Sequence, residues 1–145
     1  MQKKTFKQLS IYELYALIKL RQDVFVVEQN SIYSDLDDLD QTAIHFLDLT
    51  ESGELLGYAR YRKMRDLVHY KIERVVLSKK VRGGGKGKVI LQAMINDIKS
   101  SSPQAKISLS AQTNAIGFYH FLGFVEQGET YDDGGIEHIT MVYTA

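Results

Sequence analysis

Ile72-Glu73-Arg74-Val75-Val76-Leu77 runs into Ser78-Lys79-Lys80-Val81, then Arg82-Gly83-Gly84-Gly85-Lys86-Gly87-Lys88, then Val89-Ile90-Leu91-Gln92-Ala93-Met94-Ile95-Asn96-Asp97. This pattern predicts a strand, a phosphate-cradling turn and a helix. Glycines let backbone amides approach a ligand with no Cβ in the way, and the helix aims its unpaired amides and positive dipole end at the same place. An anionic cofactor is expected there.

Upstream, Ala43–Thr50, Leu55–Met64 and Leu67–Leu77 read as an antiparallel meander, with turns at Glu51-Ser52-Gly53-Glu54 and Arg65-Asp66. Tyr58 and Tyr61 interleave with Arg60, Arg62 and Lys63. In a half-exposed strand this is read as one wet face rather than a nucleic-acid surface. Earlier still, Lys4–Leu9 alternates as a first strand, and Ser10 with Glu13 forms a capping-box pattern that starts a helix. Val24-Phe25-Val26-Val27 is apolar on every face, so the end of that helix is expected to be buried, bent or both, stopping near Glu28-Gln29-Asn30. Downstream, the helix runs to about Ser100 and Ala105–Ala111 forms a strand. Asn114–Leu122 forms a short helix stopped by Gly123, and the strands Phe124–Glu129 and His138–Thr144 flank Asp132-Asp133-Gly134-Gly135.

Four carboxylates fall within Asp35–Asp40. A calcium loop would need glycine at the sixth position and glutamate at the twelfth, where Asp40 and Phe46 stand, so calcium is disfavoured. Two readings remain: a solvated loop anchored by Leu36 and Leu39, or a lip that attracts a cationic substrate.

The 145 residues predict one domain, 1–145. A hydrophobic fraction of 44% and a charged fraction of 25% fit a globular chain without a membrane span. Lys+Arg and Asp+Glu both total 18, which argues against a nucleic-acid partner. With no cysteine and no signal-type apolar segment, a cytoplasmic setting is expected. The four histidines have no ligand spacing, and no metal is implied.

Known phosphate motifs test the turn further. A Walker loop ending at Gly87-Lys88 would put Arg82 at its first glycine and Val89 at its magnesium-binding hydroxyl. A dinucleotide fingerprint from Gly83 would need a small residue at Lys88 and a βαβ context. The pattern that fits is Arg/Gln-x-x-Gly-x-Gly/Ala, here Arg82 to Gly87, and it resembles the pyrophosphate signature of the GNAT superfamily of N-acetyltransferases. Phe118-Tyr119-x-x-x-Gly123-Phe124 resembles that superfamily's second cofactor element. The ElaA-type branch is resembled by Leu20-Arg21-Gln22-x-Val24-Phe25-Val26-Val27-Glu28-Gln29, by Tyr33-x-Asp35-x-Asp37-x-x-Asp40, by Ala111-Gln112, and by Tyr131-x-x-x-Gly135-Ile136-x-His138-Ile139-x-Met141.

The resemblance spans Leu20 to Met141 and implies an α+β fold. Its mixed, mostly antiparallel sheet has about six or seven strands, splayed to admit acetyl-coenzyme A, with helices on both faces. It implies cofactor contacts from the amides of Arg82, Gly83, Gly84, Gly85, Lys86 and Gly87. Arg82, Lys86 and Lys88 supply charge, and the backbone of Val75, Val76 and Leu77 lies along the pantetheine arm. Tyr119 matches the position of the general acid, against the alternative of an aromatic in the groove wall. Where many members carry asparagine seven residues earlier, this chain has Gln112, with Asn114 five before, and neither is assigned. For the base, Glu73 lies in the usual region but has the alternative of pairing with Lys71 or Arg74; His138 is the second candidate, and His69, His45 and His120 have weaker claims. The implied activity is transfer of an acetyl group to a small-molecule or peptide amine. Its alternative is a coenzyme A-binding sensor without turnover. The oligomeric state is open, a homodimer included.

Overall fold

The computed structural model describes residues 1–145. Seven strands form one sheet: β1 (Gln2–Thr5), β2 (Ile44–Leu49), β3 (Leu55–Lys63), β4 (His69–Leu77), β5 (Lys106–Gln112), β6 (Phe124–Asp133) and β7 (Ile136–Tyr143), in the order β1-β2-β3-β4-β5-β7-β6. Every neighbouring pair is antiparallel except β4 and β5. The helices are α1 (Ile11–Arg21), α2 (Lys86–Ser101) and α3 (Ile116–Phe121). The predicted α+β fold with a mixed sheet and helices on both faces is the one observed.

Alternation along β2 and β3 separates the two layers. Phe46, Ala59 and Tyr61 join the larger core with Ile90, Leu91, Met94, Ile95 and Ile98 of α2. Leu47, Tyr58 and Val76 join a smaller one with Leu17 and Val24 from the α1 side. Ser10 caps α1 as its sequence predicts: its hydroxyl accepts from the Glu13 amide at 3.0 Å, and Glu13 accepts from the Ser10 amide at 2.8 Å. Past Arg21 the helix widens into a π-helical stretch, Gln22–Glu28, which lets the apolar run turn part of its surface inward, with Val24 buried and Val27 exposed.

Several expectations are corrected. The first strand is Gln2–Thr5, because Phe6–Gln8 close a 3₁₀ turn in which the Gln8 side chain caps the Thr5 amide. The Asp66 carboxylate accepts from the amides of Val68 and His69, so β4 begins at His69 rather than Leu67. Asp132 and Asp133 belong to β6, leaving Gly134-Gly135 as the turn. The interleaved strand β3 has no wet face over most of its length: Tyr58 and Arg60 are fully buried.

The acidic loop fits the solvated reading only at Asp38, which is exposed. Asp35 and Asp40 are buried and Leu36 is exposed. Three of its four carboxylates turn inward onto guanidiniums, Asp35 to Arg21 (2.7 Å) and Arg74 (2.9 Å), Asp37 to Arg60 (2.6 Å) and Arg74 (3.2 Å), and Asp40 to Arg21 (2.8 Å) and Arg60 (2.7 Å), while Asp38 alone stays exposed. Burial alone would raise the Asp37 carboxyl, but the Arg60 hydrogen bonds and charge outweigh it and hold it down at about 2. His45, which lies between the Tyr58 hydroxyl (2.6 Å) and the Asp40 carbonyl (2.9 Å), is pushed down by burial and is structural.

Candidate functional site

Strands β4 and β5 pair only from His69↔Lys106 to Ile72↔Leu109 and then part. Beyond that point Glu73–Leu77 has no strand on its β5 side. A bulge sits just past the fork: the β3–β4 register slips between Tyr58↔Val76 and Arg60↔Glu73, and Arg74 takes a left-handed φ of 60°. One extra residue re-phases the strand, so Val76 faces α1 whereas Val75 and Leu77 pack toward α2. A cavity of about 900 Å³ fills the gap, walled by Val75, Val76 and Leu77 on one side and Gln112, Asn114 and Tyr119 on the other.

The glycine turn closes one end of this cavity. Gly85 is the N-cap of α2 at φ 85°, a conformation that costs other residues strain, and no heavy atom lies within 4 Å of where its Cβ would stand. Gly87 serves packing instead, since a Cβ there would meet the Phe118 ring at 3.2 Å. The first backbone bond of α2 runs from the Val89 amide to the Gly85 carbonyl, which leaves the preceding amides unconsumed by the helix. Arg82 bonds both Glu28 carboxylate oxygens (2.8 and 3.0 Å) and the Leu77 carbonyl. Arg82, Gly83, Gly85, Gly87 and Lys88 line the cavity; Gly84 does not, nor does Lys86, whose ammonium pairs with Asp48 at 2.9 Å. The Lys88 ammonium lies over the Phe121 ring.

Tyr119 is buried on α3, edge-on to Phe118 and Phe124. Its hydroxyl has no hydrogen-bond partner in the protein, and burial pushes it up to about 12. Glu73 lines the cavity with an oxygen committed to Arg62 and, at 3.5 Å, to Arg60, not to Lys71 or Arg74. His138, half-buried on β7 and stacked on Tyr131, bonds the Ile136 carbonyl through Nδ1 at 2.7 Å. A carbonyl can only accept, so Nδ1 carries a proton, and in the neutral ring the lone pair is on Nε2. His69 instead meets the Ser108 hydroxyl (2.6 Å), and His120 meets Glu126 outside the cavity.

Sequence reasoning missed several cavity residues: Lys71, Arg74, Tyr33, and Gln29, whose side-chain oxygen accepts from Gln112 at 3.0 Å. Tyr33 and Gln29 stood in matched motifs, but no local pattern marks the direction of Lys71 or the bulge at Arg74. The far wall forms where the Ser31 hydroxyl donates to the Gly134 carbonyl, which joins the segment leading into the acidic loop to the β6–β7 turn. No group of three or more His, Asp or Glu side chains converges as a metal site would, and no helix is long and apolar enough to cross a membrane.

Comparison with known proteins places this geometry. Protein ElaA of Escherichia coli K12 is 38% identical over 137 residues, covering 92% of this chain and 89% of that one. The E. coli ElaA crystal structure superposes with a TM-score of 0.90 over 99% of this chain and 97% of its own. An acyl-CoA N-acyltransferase from Pseudomonas aeruginosa also gives 0.90, at 34% identity and the same coverage. At 14% identity, an aminoglycoside 6'-N-acetyltransferase complexed with coenzyme A shares the fold with a TM-score of 0.72, covering 98% of this chain and 96% of that one. The sequence model of the acetyltransferase (GNAT) domain matches residues 15–145, and with relatives this similar over nearly their whole length the chain belongs to the GNAT acetyltransferase family.

Proposed function

We propose that the protein is an N-acetyltransferase that moves an acetyl group from acetyl-coenzyme A to a primary amine. The observation that carries this reading is the fork: an unpaired strand edge opens into a cavity that holds free backbone amides at one end and the Tyr119 hydroxyl on its wall. The residues present fit the cosubstrate. Open space at Gly83 and Gly85, the amides before Val89, and the positive charges of Arg82 and Lys88 suit a pyrophosphate. The free edge of Val75, Val76 and Leu77 suits the amide groups of an extended arm.

When bound, acetyl-coenzyme A supplies an activated acyl thioester. The chain's part is to orient the amine and manage protons. A free amine has a pKa near ~10, so it must shed a proton before attack. The free Nε2 of His138 is the better acceptor for that proton, directly or through water, because Glu73 is held by Arg62 and Arg60. The Tyr119 phenol, neutral across the working pH range, holds the proton for the departing thiolate.

The test is acetyl transfer across an amine panel, with binding of coenzyme A measured in parallel. Tyr119→Phe is expected to lower kcat about a hundredfold or more while leaving coenzyme A affinity within about twofold. Full activity in that variant removes Tyr119 as the acid. Tight binding of coenzyme A without turnover on any amine would assign the protein to a binding role instead.

A further inference from the structure

Around the acceptor side of the cavity, charge is balanced almost completely inside the protein. Four guanidiniums, Arg21, Arg60, Arg62 and Arg74, face four carboxylates, Asp35, Asp37, Asp40 and Glu73. Lys71 is left over. It is half-buried, lines the cavity, stands two residues before Glu73 on the same face of β4, and its ammonium makes no ion pair or hydrogen bond within the protein. The remaining carboxylate on this side, Asp133, is exposed at the hairpin rim. The positive field also reaches His69, two residues back on the same strand. Burial pushes that imidazole down first, and Lys106 and Lys71 add to the effect, against a raising contribution from Asp66.

A half-buried ammonium facing a cavity gains most from an anion delivered into that cavity, because the pair forms where water is partly excluded. We propose that Lys71 seats an anionic group of the acceptor, so that the preferred acceptor is an amine carrying a carboxylate on the same molecule. This deepens the transferase reading and rests on it. The inward turn of Asp35, Asp37 and Asp40 removes the groups that would have favoured a purely cationic amine. Along a strand, two residues span about 7 Å, so an anion at Lys71 and an amine near Glu73 and His138 fit within one small molecule.

Binding is measured by calorimetry on the protein saturated with coenzyme A, using matched pairs with and without the carboxylate. These are L-lysine against 1,5-diaminopentane, L-phenylalanine against 2-phenylethylamine, and glycyl-L-lysine against its C-terminal amide. The first two pairs report a free amino acid and the third a peptide terminus. A carboxylate-bearing member is expected to bind about tenfold more tightly than its partner. In Lys71→Gln the ratio should fall to within about twofold, and Lys71→Arg should restore part of it. Equal binding within every pair, no binding by any carboxylate-bearing amine, or a ratio unmoved by Lys71→Gln overturns the proposal. Turnover on the same panel is read separately: if no amine is acetylated the transferase reading fails, while the ratios in binding still decide the role of Lys71.

Discussion

Arg60→Met isolates the buried ion network as the element that holds the acidic loop. Arg60 is fully buried and bonds Asp37 (3.1 and 2.6 Å) and Asp40 (2.7 Å), with Glu73 at 3.5 Å. Methionine fills much of the same volume but leaves three guanidiniums against four carboxylates, two of them, Asp35 and Asp40, buried. Removing one partner of a buried pair costs about 3–5 kcal/mol, chiefly through the uncompensated charge. That is a large share of the 5–15 kcal/mol typical of a domain, and at this chain length it corresponds to a fall in Tm of about 10 °C or more. Urea unfolding gives the measurement. Adding Asp40→Asn should recover roughly half the loss, because it restores charge balance without restoring packing. The pH dependence has a definite sign. Asp37 and Asp40 are both depressed in the fold, so their contribution is present above the unfolded carboxylate range near ~4 and is lost as pH falls toward the folded value, about 2 for Asp37. The wild type should therefore lose stability over that acid window more steeply than the variant. A loss under about 1 kcal/mol in Arg60→Met, with no recovery in the double variant, would refute the reasoning.

Two further outcomes follow from the cavity. Glu28→Gln removes the carboxylate that holds Arg82, and because this pair is largely exposed, coenzyme A affinity should rise only about two- to fivefold by calorimetry; a fall would mean that Glu28 orients Arg82 rather than competing for it. With the Tyr119 phenol pushed up to about 12, the acid stays protonated through alkaline pH, so kcat/KM should climb to a plateau with no descending limb below about pH 10; a limb near ~8–9 would assign the acid to another group.

The parts of this protein legible in its sequence are those in which neighbours along the chain determine the structure. Ser10 with Glu13 announces the start of α1, and the glycines around Gly85 announce a turn that only a left-handed residue can make. The resemblance singled out Tyr119, and the structure puts it on the cavity wall. What failed depended on partners far along the chain. A run such as Asp35–Asp40 reads as solvated because clustered carboxylates are costly to bury, and only the arrival of Arg21, Arg60 and Arg74 from three other elements reverses that cost for Asp35, Asp37 and Asp40. For the same reason β3 looked half-wet: Arg60 is polar by composition and fully buried in fact.

The bulge at Arg74 links these failures to the site. As the extra residue in β4 it shifts the phase of everything after it, which puts Val76 under α1, and it stands at the start of the Val75–Leu77 edge that lies free past the fork. The same residue reaches Asp35 and Asp37, so the φ of 60° that its backbone tolerates is held by ion pairs to the acidic loop. Non-glycine residues in that region are strained, and such strain persists only where the surroundings over-determine it. The acidic loop is therefore tied to the strand that borders the cavity. Asp35 and Asp37 do not line the cavity but pair with Arg74, which does, so their charges reach the site through the bulge that stands beside its free strand edge.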